Sequence, residues 1–257
     1  MLRWCRVSLS LASADPLDVA SFEGMLRRDL RDVRTIEAAS QIFARGLYET
    51  FANCVLARVY LTLPFGQLPD DNKRAVQTLA SAQGGFARLN DQTVVLSLTG
   101  TWGKEPAWRQ RRMSKNHLGI PLLDPSFVAS IPMVARLFEE LGVGLDGLPA
   151  GRDDTARKLM GGFNGVFYVA DAATTLDSRG RHIIPAQDFV SGYGVKTVFG
   201  MGGAYLGGTL AACIVFSGET IPRRQAENFA SLITPFKAAT SPLLRGRQIF
   251  EPDSANA

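Results

Sequence analysis

Histidine and cysteine are scarce in this chain, with two and three residues respectively, and the scarcity removes several function classes at once. Cys5, Cys54 and Cys213 are too far apart, and His117 and His182 too few, for a Cys/His zinc site of the usual kind. An odd, sparse cysteine count also offers no disulfide framework and suits a reducing cytoplasm. No run reaches the roughly 18 consecutive apolar residues of a membrane span. Charge of one sign is hardly in excess: 28 basic against 24 acidic residues leave +4, without the dense basic run of a nucleic-acid binder. What is plentiful is apolar side chain, 46% of 257 residues, enough to bury a large core in one domain or a tight pair.

The first residues imitate a signal peptide, but Arg6 leaves an apolar stretch of about six residues, short of the 7–15 such a signal needs. Residues 1–28 therefore read as a leader, disordered or partly helical, and 242–257 as a loose polar tail around a domain over 29–241. Between Gly142 and Asp154, Gly, Pro and Asp cluster without periodicity and mark a loop or hinge.

Apolar residues at three- and four-residue steps (Val33, Ile36, Phe43, Leu47, Phe51) place a helix over Asp32–Phe51. Leu56–Leu63, rich in strand formers and stopped by Pro64, reads as a strand. A helix follows from Pro69 to Ala82, ended by Gly84 and Gly85, and then a strand over Val94–Gly100. Ser130 is placed to cap a helix with Pro132 in its first turn and the stripe Ile131, Val134, Phe138, Leu141. Gly165–Asp171 reads as a strand and Pro185–Ser191 as a short helix. Val195–Gly200 and Leu206–Ser217 read as two strands joined by a glycine-rich turn, hence antiparallel. A last helix, capped by Thr220, carries Ala226, Phe229, Ile233 and Phe236 on one face. The fold class is α+β: a central antiparallel sheet of about five to six strands with helices packed on it.

Three stretches of the second half, Phe189–Gly200, Tyr205–Phe216 and the helix containing Ala226, Glu227 and Phe229, resemble the end of a GAF domain, where a short helix, a strand, a hairpin and a long helix follow one another. His117–Met133 is similar to GAF-like, PAS-related input modules of bacterial sensor histidine kinases. The resemblance runs with gaps from about Asp32 to Thr240 and implies a cytoplasmic bacterial sensor in signal transduction. Two departures bear on the ligand. The chain lacks the Asn-Lys-x-x-Asp signature of cyclic-nucleotide-binding members, and neither histidine follows a cysteine as in bilin-linked members. The chain is also longer than a typical member, so residues 100–160 read as an enlarged lid or insertion. No output segment follows Thr240, so such a sensor acts on a kinase or other partner in trans.

Gly200–Gly208 invites a phosphate-loop reading, yet these glycines lie between two strands rather than at the start of a helix, and a hairpin turn is preferred. In Trp102–His117, Trp102 and Trp108 interleave with Arg109, Arg112 and His117, a set able to stack on and neutralise a flat anionic ligand. A solvated loop pinned by its tryptophans would look the same. His117 or His182 could ligate haem iron, as in some GAF sensors, but a lone loop histidine is more often only hydrogen-bonded, so haem and bilin are both disfavoured. Asp171 is expected to close a turn. Met133 and Leu137 on the lid, facing Phe167, Phe199 and Tyr205 on the sheet, would enclose an apolar pocket or pack as ordinary core; pattern alone does not separate these.

The leading expectation is a non-catalytic module that encloses a small molecule between sheet and lid and forms a homodimer through its terminal helices. The alternatives are a GAF-fold enzyme, such as a thiol-dependent free methionine sulfoxide reductase using Cys54 and Cys213, and a purely structural dimerisation module.

Overall fold

The computed structural model describes residues 9–114, 117–142 and 164–252. Cys5, the first residues of the leader, most of the expected hinge, the rest of the insertion and the last five residues lie outside them.

Six strands form one sheet in the order β5-β4-β3-β8-β7-β6, every neighbouring pair antiparallel. They are β3 (Cys54–Pro64), β4 (Val94–Gly103), β5 (Gly119–Pro121), β6 (Asn164–Val169), β7 (Thr197–Ala204) and β8 (Leu210–Ser217). A separate parallel pair joins β1 (Leu9–Ser10) to β2 (Phe51–Ala52). The α+β class and the antiparallel sheet expected from sequence are what the chain adopts.

Alternation along the strands divides the core in two. On β3, Ala57, Val59, Leu61 and Leu63 face one helical layer, while Leu56 and Tyr60 face the other. The first layer is built from α1 (Pro16–Asp29), α2 (Ile36–Thr50) and the closing helix over Ile233–Arg245. The second face carries α4 (Pro125–Ala129), α5 (Pro132–Glu140) and α6 (Gln187–Tyr193), with α3 (Asp70–Ala82) packed beside β5. The closing segment is α7 (Arg223–Asn228), a 3-10 turn over Phe229–Leu232, and α8 (Ile233–Arg245).

The β7–β8 hairpin turns at Tyr205–Thr209, where Gly207 and Gly208 adopt φ of 100° and 87°, a region costly to any residue with a Cβ. Gly202 serves a different purpose. It lies within β7, and a Cβ there would stand 2.6 Å from a Leu141 methyl, so its absence lets the end of the α5 segment sit directly on the sheet.

Several details differ from the sequence reading. Ser130 does not cap α5: it lies at the end of α4, its hydroxyl donating to Phe127 O (2.6 Å), and Ile131 stands at the α5 N-cap without a side-chain bond. Thr220 caps nothing either, because the closing helix starts after Pro222 and is broken at Phe229–Leu232. Residues assigned to the leader form α1, opened by a reciprocal capping box in which Asp15 accepts from Leu17 N and Asp18 N while Asp18 accepts from Asp15 N. Its Val19, Phe22 and Leu26 are buried in the first core layer. Residues assigned to the tail are likewise packed. Ile36 N and Glu37 N donate to Gln248 O and Ile249 O, at 3.0 and 2.8 Å, and Ile249 is buried. The tail thereby satisfies amide groups at the start of α2 that a helix leaves open.

The apolar stripes expected to join two copies are spent within one. Ile36, Phe43 and Leu47 of α2, and Phe229, Ile233 and Phe236 of the closing segment, are all fully buried against the chain's own sheet.

Candidate functional site

A cavity of about 250 Å³ lies between the second face of the sheet and α5. Its floor is Leu56, Arg58 and Tyr60 on β3 with Ile214 and Phe216 on β8, residues that the registers Leu56↔Phe216 and Arg58↔Ile214 place side by side. Its cover is Ile131, Met133, Val134 and Leu137 from the start of α5, and its walls include Trp108, His117, Ile184 and Phe189. A cleft of about 430 Å³ shares His117, Ile120, Ile131 and Pro185 with it and adds Gln83, Ser130, Arg181 and His182.

The cover is tied at both ends. Arg181, paired with Asp177, donates to Ala129 O (2.7 Å) and Ser130 O (3.1 Å) at the α4–α5 turn. At the other end Glu140 accepts from Tyr168 N of β6 (2.6 Å) and pairs with Arg136 and Arg223. On the wall, Trp108 packs 4.7 Å from Tyr193 and 5.5 Å from Phe189, whose ring meets Phe216 edge-on at 5.4 Å. This aromatic group joins the loop after β4 to α6 and the floor.

Of the residues singled out from sequence, Trp108, His117, Met133 and Leu137 meet at the cavity. Phe167 is buried on the same side of the sheet but beneath the lining. Phe199 and Tyr205 face the opposite core layer. Phe167 pairs with Gly200, so Phe199, one residue away, must project from the other face. Tyr205 hydrogen-bonds Thr240 there at 2.7 Å, and burial raises its hydroxyl pKa. Trp102 also packs on that layer, with the Arg45 guanidinium 5.0 Å from its ring. Arg109 is occupied by Gly103 O and Lys104 O, and Arg112 by Glu251 O and Pro252 O, so neither reaches the cavity. Asp171 closes a turn, accepting from Ala173 N (2.8 Å) and Thr174 N; the Thr174 hydroxyl, first among several hydrogen bonds, holds its carboxyl below the usual range.

Sequence reasoning passed over Arg58. Its signal was legible: one cation in the otherwise apolar run Leu56-Ala-Arg-Val-Tyr-Leu61, two residues from a tyrosine on the same face. Arg111, buried elsewhere, was missed as well, while its neighbours Arg109 and Arg112 were chosen.

His117 has a left-handed φ of 63°, a region where histidine is enriched among residues with a side chain. Part of its surface meets solvent, yet the atoms packed about the ring push its pKa down to about 4, burial acting first and the Arg58 charge second. The imidazole is thus neutral at pH 7 and offers hydrogen bonds without charge. Between pH 6.5 and about 4 the unfolded chain takes up this proton and the folded one does not, so stability falls as pH drops through that window. Thermal melts from pH 7 to 4.5 are expected to fall more steeply for the native protein than for His117→Asn; parallel curves would contradict the assignment.

Cys54 and Cys213 are buried in the first core layer, away from the cavity. Burial pushes the Cys54 thiol up to about 12 and raises Cys213 well above its ordinary value, so neither is a ready thiolate. Among the described residues no group of three His, Cys, Asp or Glu side chains could hold a metal ion, and no helix is long and apolar enough to cross a membrane.

No protein-family model and no curated protein matches the chain. Among solved structures, the phycoerythrobilin-bound GAF domain from a cyanobacterial phytochrome is similar at 11% identity and a TM-score of 0.47, over 89% of this chain and 97% of that one. A likeness at that level carries nothing about ligand or function to this chain. By its own elements, an antiparallel six-stranded sheet between helical layers that ends in a short helix, a hairpin and a long closing helix, the chain has an α+β fold with the element order that the sequence resemblance implied.

Proposed function

We propose that the chain is a non-catalytic, cytoplasmic sensory domain that holds a small molecule between its sheet and α5 and passes the event to a partner in trans, such as a sensor kinase in bacterial signal transduction. The observation that carries this reading is the cavity itself: mostly apolar, with a few convergent polar groups, which is the usual make-up of a ligand pocket. A purely structural domain would fill that space with side chains.

The volume narrows the choice. About 250 Å³ is below the roughly 300–1,000 Å³ of pockets that enclose drug-sized molecules, which disfavours a haem or bilin within this cavity. The raised thiol pKa values weigh against the thiol-dependent reductase. A homodimer would need a surface other than the α2 and α8 stripes.

Coupling follows from the anchoring of α5. A ligand that prefers one packing of the cover shifts the population of that packing, and Glu140 links the cover to β6 and, through Arg223, to the closing helices. Native mass spectrometry of unheated protein is expected to show a retained small molecule that Leu137→Trp, which fills the cavity, no longer holds. A compound at a hundredfold its Kd should stabilise the native protein by about 2.7 kcal/mol and leave that variant unchanged. No retained mass, together with no compound that distinguishes the two proteins in a thermal-shift screen, would overturn the reading.

A further inference from the structure

The cavity floor contains one cation whose partners are incomplete. Arg58 projects from β3 on the same face as Leu56 and Tyr60, between Thr101 of β4 and Ile214 of β8. Its terminal nitrogens meet only neutral groups, the Ser114 hydroxyl at 3.2 Å and the Tyr60 hydroxyl at 3.5 Å. Among the described residues no carboxylate lies within salt-bridge distance of it, and its Nε is buried without a hydrogen-bond partner. Arg111 also keeps one buried terminal nitrogen without a partner, so the contrast lies in charge: Arg111 is neutralised by both Glu37 and Asp71, and Arg58 by no carboxylate among the described residues.

A guanidinium whose terminal N–H groups hold only neutral hydroxyl partners keeps its charge uncompensated and pairs strongly with a carboxylate oxygen. One cation calls for one negative charge. The remainder of the chamber is apolar and partly aromatic, from Leu56, Trp108, Leu137, Phe189 and Phe216. Its volume of about 250 Å³, the liquid volume of roughly eight waters, suits a ligand of roughly 10–12 non-hydrogen atoms. We propose that the cavity takes a small apolar monocarboxylate, with its carboxylate on the Arg58 guanidinium beside the Tyr60 hydroxyl and its hydrocarbon or aromatic body beneath α5. His117, neutral and on the same wall, adds a hydrogen-bonding group and no second charge, which keeps the site matched to a monoanion rather than a phosphate dianion.

This inference rests on the sensory reading above and refines it. The probes are octanoate and 4-phenylbutanoate, each compared with its own amide, which keeps the shape and removes the charge. Calorimetric titration at pH 7.5 is expected to show each acid binding the native protein about tenfold or more tighter than its amide. Arg58→Met should lose that preference while still binding the amides, and Leu137→Trp should weaken acids and amides alike. The acid–amide comparison on the native protein decides the matter even where Arg58→Met fails to fold. Amides that bind as tightly as acids, or a preference that survives Arg58→Met, would overturn the carboxylate assignment and leave the cavity reading standing. Binding of neither series would overturn both, and acid binding untouched by Leu137→Trp would place it outside the cavity and overturn the inference.

Discussion

Arg111→Leu is expected to lower the unfolding free energy by about 3–5 kcal/mol, the usual cost of removing one member of a buried ion-pair group. Arg111 is only 2% exposed, although it sits in a stretch of sequence that reads as a solvated basic loop. Its Nε donates to Glu37 at 3.1 Å and one terminal nitrogen to Asp71 at 2.7 Å and to Asn72, and its guanidinium lies 5.1 Å from the Phe250 ring. Asn72 in turn donates to Ser97 and Leu118 O, both at 2.8 Å. One side chain thus joins α2, α3 and the C-terminal segment, and Asn72 extends the group to β4. Loss of Arg111 leaves the partly buried carboxylates of Glu37 and Asp71 without their shared cation. Urea unfolding at pH 7 tests this, with Arg109→Leu as the comparison, since that exposed side chain bonds two backbone carbonyls and lies 5.9 Å from the Trp102 ring without a buried ion pair, and its loss should change stability by no more than about 1 kcal/mol. A loss below 1 kcal/mol for Arg111→Leu would show that the group is solvated in solution.

Phe229→Ala is expected to cost about 3–5 kcal/mol, the range for truncating a fully buried aromatic ring. Phe229 stands where the closing segment bends, with Phe51 at 5.2 Å and Phe199 at 5.3 Å, and Phe51 passes the contact on to Phe22 of α1 at 5.4 Å. Four rings therefore bind the N-terminal helix, the end of α2, the closing segment and β7 into one unit, and the vacated volume opens at its centre. The melting temperature should fall by roughly 6–20 °C for a chain of this size. Leu206→Ala, at the 91% exposed tip of the hairpin, should leave it within a degree or two. Similar melting temperatures for the two variants would mean that the aromatic unit does not hold the domain together.

The second result bears on what was legible. Helix α2 was readable because its buried residues recur at helical steps, and β3 because strand formers run unbroken to Pro64. Helix α1 was not, because Val19, Phe22 and Leu26 are spaced among acidic and basic residues and the start of the chain imitates a secretion signal. Its capping pattern, Asp15-Pro16 with Asp18 at the third helical position, was the available clue. Strand β5 is only three residues, Gly119–Pro121, too few to carry any period. Ser130 and Thr220 are good capping residues by composition, but nothing in a sequence says which of two neighbouring residues the chain will turn on.

The residues alone determined the α+β class, most of the element order and the antiparallel hairpin, because each depends on patterns within ten or so neighbours: the helical and strand periods, and where Gly and Pro interrupt them. Tertiary structure decided which residues share a cavity. A strand presents alternate faces, so the one-residue offset between Gly200 and Phe199 put an expected pocket residue on the wrong side of the sheet, and only the pairing with Phe167 reveals it. It also decided which arginines matter, since Arg58 and Arg111 owe their significance to partners supplied or withheld by distant segments. Glu37 lies 74 residues from Arg111, and no local pattern encodes that meeting.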